Sequence, residues 1–407
     1  MNQTSAPPRT EDALRILVLA PQPFFVQRGT PIAVRLLLET LAERGDAIDV
    51  VTFPGGEDIE IPGCRFFKTP AVTGKGDIGP GFSLRKLILD AVLVPYVAWR
   101  LARARYDLII AVEESAFIAM ALRPLFGVPY VFDVDSSIPE QMNDKKPLPK
   151  WLYNTLSGIE GRAARKAAGA LTCCRALEEL IRGHAPALPI QTLEDITMLA
   201  PDDGAPPPPD CDFDEPVVMY VGNLEPYQGL GLLLDGFAKL DLAASPARLV
   251  VIGGSAAHIA EYQARAVALG VSAFTSFLGP RPVDDLGRYL RAADIVASPR
   301  TQGRNTPMKV YSYLDSGRPL IATRLPTHTQ VLDDDISMLV HPDAEDIARG
   351  LSALFGDSAL RDRIADAAGV RVRAEFSREG YARKLNGFMD GVIEPVARAR
   401  RSSKAKS

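Results

Sequence analysis

Between Ser298 and Thr323 the chain reads Ser-Pro-Arg-Thr-Gln-Gly-Arg-Asn-Thr-Pro-Met-Lys-Val-Tyr-Ser-Tyr-Leu-Asp-Ser-Gly-Arg-Pro-Leu-Ile-Ala-Thr. Arg300, Arg304 and Lys309 place three cations among turn-forming residues, a mixture suited to binding an anion such as a phosphate. Gly303, and Gly222 farther back, let the backbone approach a ligand closely. The turn Asn305-Thr306-Pro307 would present the start of a helix beginning near Met308, whose amide end attracts negative charge. Lys309 then lies in the first turn, where the helix dipole prefers acids, so a bound phosphate would give the cation a reason to be there. The alternative is a lysine in water.

A second set of residues carries carboxylates. Asp133 and Asp135 flank Val134, and either could orient a hydroxyl group. The same spacing spells a D-x-D that elsewhere holds a divalent cation, and Asp135 could equally cap a turn with Ser136 and Ser137. A third set, Arg28, Gly29 and Thr30, closes the loop Phe24 to Pro31 just ahead of a helical stretch, where it could touch a phosphate or a second substrate; otherwise the phenylalanines of this loop seal the lobe. Gly74 to Gly79 fits G-x-G-x-x-G, but no strand leads into it and no helix opens within it, so it reads as a loop. Neither G-x-S-x-G nor G-x-x-x-x-G-K-[ST] occurs, which disfavours a serine hydrolase and a P-loop enzyme.

These residues sit at the ends of short apolar runs. Arg15 to Ala20, Asp49 to Phe53, Leu108 to Val112, Tyr130 to Phe132 and Ala170 to Cys173 read as strands alternating with helical stretches, the first of which spans Pro31 to Arg44. The alternation stops between Ala200 and Pro216, a proline-rich stretch that reads as a linker, and resumes at Val217 to Val221, Arg248 to Ile252, Phe274 to Leu278, Asp294 to Ala297, Leu320 to Ala322 and Ser337 to Val340. Such alternation implies parallel sheets covered by helices on both faces. The predicted architecture is α/β: two doubly wound Rossmann-like domains facing a cleft at the carboxyl ends of their strands. The expected divisions are 13–200, a linker at 201–216, a second domain at 217–375, a C-terminal helix at 376–396 packing back on the first domain, and a disordered basic tail at 397–407.

Tyr220 to Gly229, reading Tyr-Val-Gly-Asn-Leu-Glu-Pro-Tyr-Gln-Gly, together with Ser298 to Thr323, resembles the donor-binding signatures of glycosyltransferase family 4. The resemblance extends in layout over nearly the whole chain, with its specific motifs between Val217 and Thr323. It implies a GT-B fold, a nucleotide-diphosphate sugar as co-substrate, here a UDP-sugar, no metal and no further cofactor, and transfer with retention of configuration. By position it places Asn223, Gln228 and Ser312 at the donor site and Arg304 and Asp135 at the reacting centre; the residues themselves add Gly222, Glu225, Arg300, Gly303, Asn305, Thr306, Pro307 and Lys309 to the donor site and Asp133 to the reacting centre, with Glu225 equally able to cap the helix at Gly229.

Several positions depart from the family pattern. Asn223 and Gln228 stand where an arginine and a lysine usually grip the diphosphate, Arg304 and Ser312 where two glutamates usually stand eight residues apart, and Asp135 where a histidine is usual. Arg300, Arg304 and Lys309 would restore the missing positive charge. An arginine facing the sugar could also bind a carboxylate through two parallel hydrogen bonds, which suggests a uronic acid donor. Phosphate or solvent contact is the alternative for Arg304. The missing charges also leave room for a non-catalytic sugar-nucleotide binder, or for an epimerase or hydrolase acting on the donor alone.

The 407 residues carry a formal charge of -4, which argues against binding nucleic acid through bulk positive charge. Cys64, Cys173, Cys174 and Cys211 form no C-x-x-C pair. The first twelve residues lack the apolar core of a secretory signal, so a cytoplasmic location is expected. Leu84 to Arg105 is apolar on a wide face, with Tyr96 and Trp99, yet is interrupted by Lys86, Asp90, Pro95 and Arg100. It reads either as a helix buried against the sheet or as an interfacial one. With Lys145, Lys146, Lys150 and Trp151 nearby, it points to a lipid or lipid-linked acceptor and peripheral contact with an anionic membrane.

Overall fold

The apolar runs form strands with both faces covered, and the helices between them supply that cover. The computed structural model describes residues 13–26, 29–72, 84–145, 147–200 and 204–404. Gln27, Arg28, the stretch containing Gly74 to Gly79, and Lys146 therefore lie outside the described residues.

In the first unit, seven parallel strands run β1 (Arg15–Pro23), β2 (Ala47–Phe53), β3 (Cys64–Lys68), β4 (Leu108–Val112), β5 (Tyr130–Val134), β6 (Gly169–Thr172) and β7 (Ile190–Thr192), in the spatial order β3-β2-β1-β4-β5-β6-β7. β1 pairs with β2 on one side and with β4 on the other, Ile16 lying opposite Leu108. Strand order reverses there, so the crevice beyond the carboxyl ends of β1 and β4 is where this topology accepts a ligand. Helices α1 (Gly29–Glu43), α2 (Leu84–Arg103), α3 (Ser115–Phe126), α4 (Ile138–Lys145) and α5 (Lys150–Lys166) supply cover. Leu89, Leu93, Val97 and Leu101 of α2 recur every fourth residue and bury one stripe of the helix in the core. Leu87, Ile88, Val94 and Trp99 of the same helix remain exposed. Burial against the sheet thus accounts for one face of α2 and leaves the other apolar face open. Among the described residues no helix is long and apolar enough to cross a membrane.

The C-terminal residues from Ala382 belong to this first unit. Lys384 pairs with Glu194 at 2.7 Å, Arg44 bonds Asp390 and Glu394, and Arg401 grips Asp107 through Nε at 2.7 Å. A disordered tail from 397 is therefore not what forms: the last helix runs Glu394–Lys404, Ala397 is fully buried, and Arg400 donates to the carbonyls of Tyr106 and Phe126. Basic composition suggested solvation, but these arginines satisfy the carbonyls of Ala13, Tyr106 and Phe126 and the carboxylate of Asp107.

The second unit spans Asp195–Tyr381. Its strands are β8 (Val217–Val221), β9 (Arg248–Ile252), β10 (Thr275–Gly279), β11 (Ile295–Ser298), β12 (Leu320–Thr323) and β13 (Met338–Val340), ordered β10-β9-β8-β11-β12-β13. The reversal here falls between β8 and β11. The proline-rich stretch is not a free linker over its described part: Cys211 is buried, and Asp210 pairs with Arg281 at 2.6 Å and accepts from Tyr289. Two edge strands escaped the sequence reading. β3 reads Cys-Arg-Phe-Phe-Lys without an unbroken apolar run, and β7 has only three residues.

Candidate functional site

Each sheet reversal carries a cluster of unusual side chains. In the second unit, the loop after β8 and the loop after β11 hold nearly all the donor-site residues predicted above. Lys309 begins the helix Lys309–Asp315, one residue later than expected. Its stem keeps some solvent contact, but its Nζ is sealed, has no hydrogen-bond partner, and lies 4.0 Å from the centroid of the Tyr220 ring. Burial, reinforced by the nearby charge of Arg300, pulls its pKa well below the ordinary lysine value. The Arg300 guanidinium donates to the Asn305 carbonyl at 3.0 Å and to Thr327 Oγ1 at 3.3 Å, and lies 5.2 Å from the Tyr227 ring centroid. Its Nε is sealed and unpartnered, as are Thr306 Oγ1 and Gln228 Oε1. Burial lowers the Arg300 pKa as well.

Backbone and second-layer contacts position this pair of cations. Gly222 follows β8 at φ +151°, and a Cβ there would stand 3.3 Å from Lys309 Nζ; at Gly303, φ +118°, a Cβ would meet the Arg300 guanidinium at 2.6 Å. Both positions need glycine to leave the cations room. Tyr313 Oη accepts from Val221 N at 2.7 Å and donates to its carbonyl at 3.1 Å, pinning the end of β8. Beneath Arg300, His328 is fully buried, with Nδ1 2.8 Å from the Thr323 carbonyl and Nε2 2.9 Å from Ser298 Oγ. The carbonyl can only accept, so Nδ1 carries the proton and Nε2 accepts from the serine. Burial brings the pKa of this imidazole down to about 4 and keeps it neutral beside two cations. Thr323 Oγ1 donates to the Arg300 carbonyl at 2.5 Å, and Thr327 Oγ1 to that of Asn305 at 2.6 Å. Tyr220 and Tyr227 lie in the quoted motif without a role assigned there, and Thr327 and His328 carried no signal in the sequence, because their roles depend on β8, β11 and β12 being neighbours.

The remaining donor-site candidates are scattered. Asn223 and Glu225 are exposed, with Asn223 Oδ1 accepting from Glu225 N at 3.4 Å, and Glu225 makes no side-chain cap. Arg304 is exposed and its carbonyl accepts from Gln330 Nε2 at 2.8 Å. Pro307 is half-buried and its carbonyl accepts from Val310 N. Ser312 is buried and its Oγ accepts from Met198 N at 3.1 Å, so it holds the segment entering the unit.

In the first unit a pocket of about 880 Å³ lies beyond the carboxyl ends of β1 and β4. Gly29 and Thr30 line it, with Pro21, Val94, Phe117 and Met142 among its mostly apolar walls. Arg28, the third residue expected there, lies outside the described residues. Glu113 at the end of β4 has φ +49°, and among the described residues it is the only non-glycine with positive φ. Such a conformation is uncommon and marks a site to inspect. Its N–H donates to the Asp133 carbonyl at 2.8 Å, and its Oε1 accepts from Ser136 Oγ at 2.6 Å. Asp133 is buried, and burial together with the Glu113 charge pushes its pKa up to about 7. Glu114 pairs with Lys86 at 2.6 Å, yet burial and Glu113 still raise it to about 7. Asp90, also lining the pocket, is raised to about 6 by burial. Asp135 follows in the same loop, and its carbonyl accepts from Cys173 Sγ. The hydroxyls of Ser136 and Ser137 turn to Glu113 and Glu160. Among the described residues, no three His, Cys, Asp or Glu side chains are grouped so as to hold a metal ion.

Comparison with known proteins covers both units. Residues 28–193 match the glycosyl transferase 4-like domain, and residues 215–357 match the domain of glycosyl transferases group 1. The D-inositol 3-phosphate glycosyltransferase of Corynebacterium aurimucosum is 33% identical over 199 residues, 46% of this chain and 46% of that protein. The phosphatidyl-myo-inositol mannosyltransferase of Mycobacterium tuberculosis is 30% identical over 165 residues, 38% of this chain and 42% of that protein. The chain thus spans less than half the length of these curated relatives. Among solved structures, sucrose-phosphate synthase from Thermosynechococcus elongatus matches with a TM-score of 0.74 at 20% identity, over 97% of this chain and 100% of that one. Anabaena HepE in complex with UDP and glucose matches with a TM-score of 0.69 at 17% identity, over 93% of this chain and 100% of that one. At these identities the likeness is one of fold, and that fold is GT-B.

Proposed function

We propose, given that the chain belongs to the family 4 glycosyltransferases, that it moves a sugar from a UDP-sugar held by its second unit to a lipid or lipid-linked acceptor held by its first, with retention of configuration. One observation carries the donor half: Lys309 Nζ and Arg300 Nε are sealed from water without partners. Two buried cations without a counter-charge are costly, and a diphosphate supplies both the charge and the acceptor oxygens. As the bond from the sugar's anomeric carbon to the β-phosphate breaks, negative charge grows on the leaving oxygen, and Lys309 and Arg300 would stabilise it. The acceptor oxygen bonds the same carbon, and its proton leaves on the departing phosphate. Positioning then contributes most of the remaining rate, with Asp133, Asp135 and Glu113 the candidates to orient hydroxyls. A lipid acceptor is supported by the exposed apolar face of α2.

The test supplies labelled UDP-glucose, UDP-galactose, UDP-glucuronate and UDP-N-acetylglucosamine with bacterial lipid extract. Label entering the organic phase, and lost in Lys309→Ala, is the expected result. Free labelled sugar without acceptor would favour a hydrolase, an isomerised donor an epimerase, and tight donor binding without turnover a binding protein. Arg304 adds a finer reading, a uronic acid donor. Preference for UDP-glucuronate over UDP-glucose that disappears in Arg304→Ala supports it, and a preference for the neutral sugar unaffected by that change ends it.

A further inference from the structure

The acceptor pocket has a charge as well as a shape. Its walls are mostly apolar, and among the described residues that line it Lys86 is the lone cation against Glu113, Glu114 and Asp90. Lys86 is already engaged with Glu114, so it offers little to an incoming anion. Gln22 and Asp90, both on the wall, each have a sealed polar atom without a partner, Nε2 and Oδ1 respectively. One is a donor and the other an acceptor, the two roles that a hydroxyl group fills and a fully ionised phosphate does not. Leu87 and Val94 line the pocket while remaining 51% and 39% exposed, so its mouth continues onto the open apolar face of α2.

We infer that this pocket takes an uncharged, hydroxyl-bearing amphiphile, its hydroxyl end among Gln22, Asp90 and Glu113 and its apolar part against Val94, Phe117 and Met142, and that it rejects an acceptor with a phosphate beside the reacting hydroxyl. This rests on reading the first unit as the acceptor side. The reason is electrostatic. A phosphate placed among three carboxylates meets like charges in a poorly solvated site, whereas a neutral polyol exchanges water hydrogen bonds for protein ones at small cost. A pocket of this size encloses a ligand of a few dozen atoms, enough for a sugar or glycerol headgroup and the first part of a chain.

The chain's only two tryptophans, Trp99 on α2 and Trp151 on α5, are both exposed on this unit, so intrinsic fluorescence reports on the region. Titrating the full chain at pH 8 with octyl β-glucoside and with octyl phosphate, both below micelle formation, should give saturable binding of the glucoside and at least tenfold weaker binding of the phosphate. Glu113→Gln and, separately, Asp90→Asn should each narrow that gap, the second guarding against a folding defect at the unusual Glu113 backbone. Equal or tighter binding of octyl phosphate, or no saturable binding of the glucoside, overturns the inference. Failure of the acceptor reading would look different: the glucoside would bind selectively yet leave transfer to lipid extract uninhibited.

Discussion

An ammonium group sealed in a protein without a hydrogen-bond partner is kept against the grain of stability, and Lys309 is such a group. Replacing it by an apolar side chain of similar length removes the desolvation penalty, so Lys309→Met should stabilise the ligand-free protein by about 1–3 kcal/mol while destroying donor binding. Thermal unfolding with and without UDP checks both halves: a higher Tm without nucleotide and no further rise with it. A lower Tm for the variant would mean that Lys309 has a structural partner after all. Arg300 differs, since Asn305 and Thr327 already hold one of its nitrogens. Its removal should cost stability as well as binding, leaving the Thr327 hydroxyl on Asn305 as the surviving contact.

At the scale of elements, α2 separates two roles along one helix. Leu93 is fully buried in the core, so Leu93→Ala should cost about 2–5 kcal/mol by leaving a cavity. Trp99, 45% exposed, should tolerate alanine with little change in Tm, while retention on vesicles containing the acceptor lipid falls. Chemical denaturation and vesicle sedimentation distinguish the two, and an equal stability loss in both variants would contradict the division. Elements with long apolar runs, such as β1 and β4, were legible from residue order because burial on both faces demands such runs. β3 and β7 were not, being short edge strands with less to bury. The cation-rich stretch from Arg300 to Lys309 could be read in part, since cations and glycines declare themselves locally. The unpartnered state of Lys309, the neutral His328 beneath it and the placement of Glu113 could not, because each depends on contacts made across strands. Ser312 adds a contact that residue order does not show, since its Oγ accepts from the backbone N–H of Met198.

At the scale of the whole molecule, the most strongly shifted buried groups of the two units pull stability in opposite directions with pH. In the first, Asp133, Glu114 and Glu160 are raised to about 7 and Asp90 to about 6, chiefly by burial. The folded unit therefore holds protons that the unfolded chain, with carboxyls near about 4, has released. Their contribution is fully present below that value and is lost as pH rises toward 7, at no more than about 1.4 kcal/mol per pH unit for each group. In the second unit His328 falls from 6.5 to about 4, so its contribution is present above 6.5 and is lost as pH falls toward 4. Calorimetry of the full chain at pH 5 and pH 7.5 should show the transition that UDP shifts moving up with pH, and the other moving down. Asp133→Asn should flatten the latter.

The pair of buried cations as a diphosphate cradle is tested most directly by comparing UDP with uridine. Calorimetric titration should show UDP binding to the wild-type chain and weakening by roughly tenfold or more in Arg300→Ala and in Lys309→Met, the scale of a lost charged hydrogen bond. Uridine, which has no phosphate, should bind weakly and equally to all three proteins. If UDP binds no better than uridine, or both variants keep wild-type affinity for UDP, the cations serve another purpose and the donor site lies elsewhere.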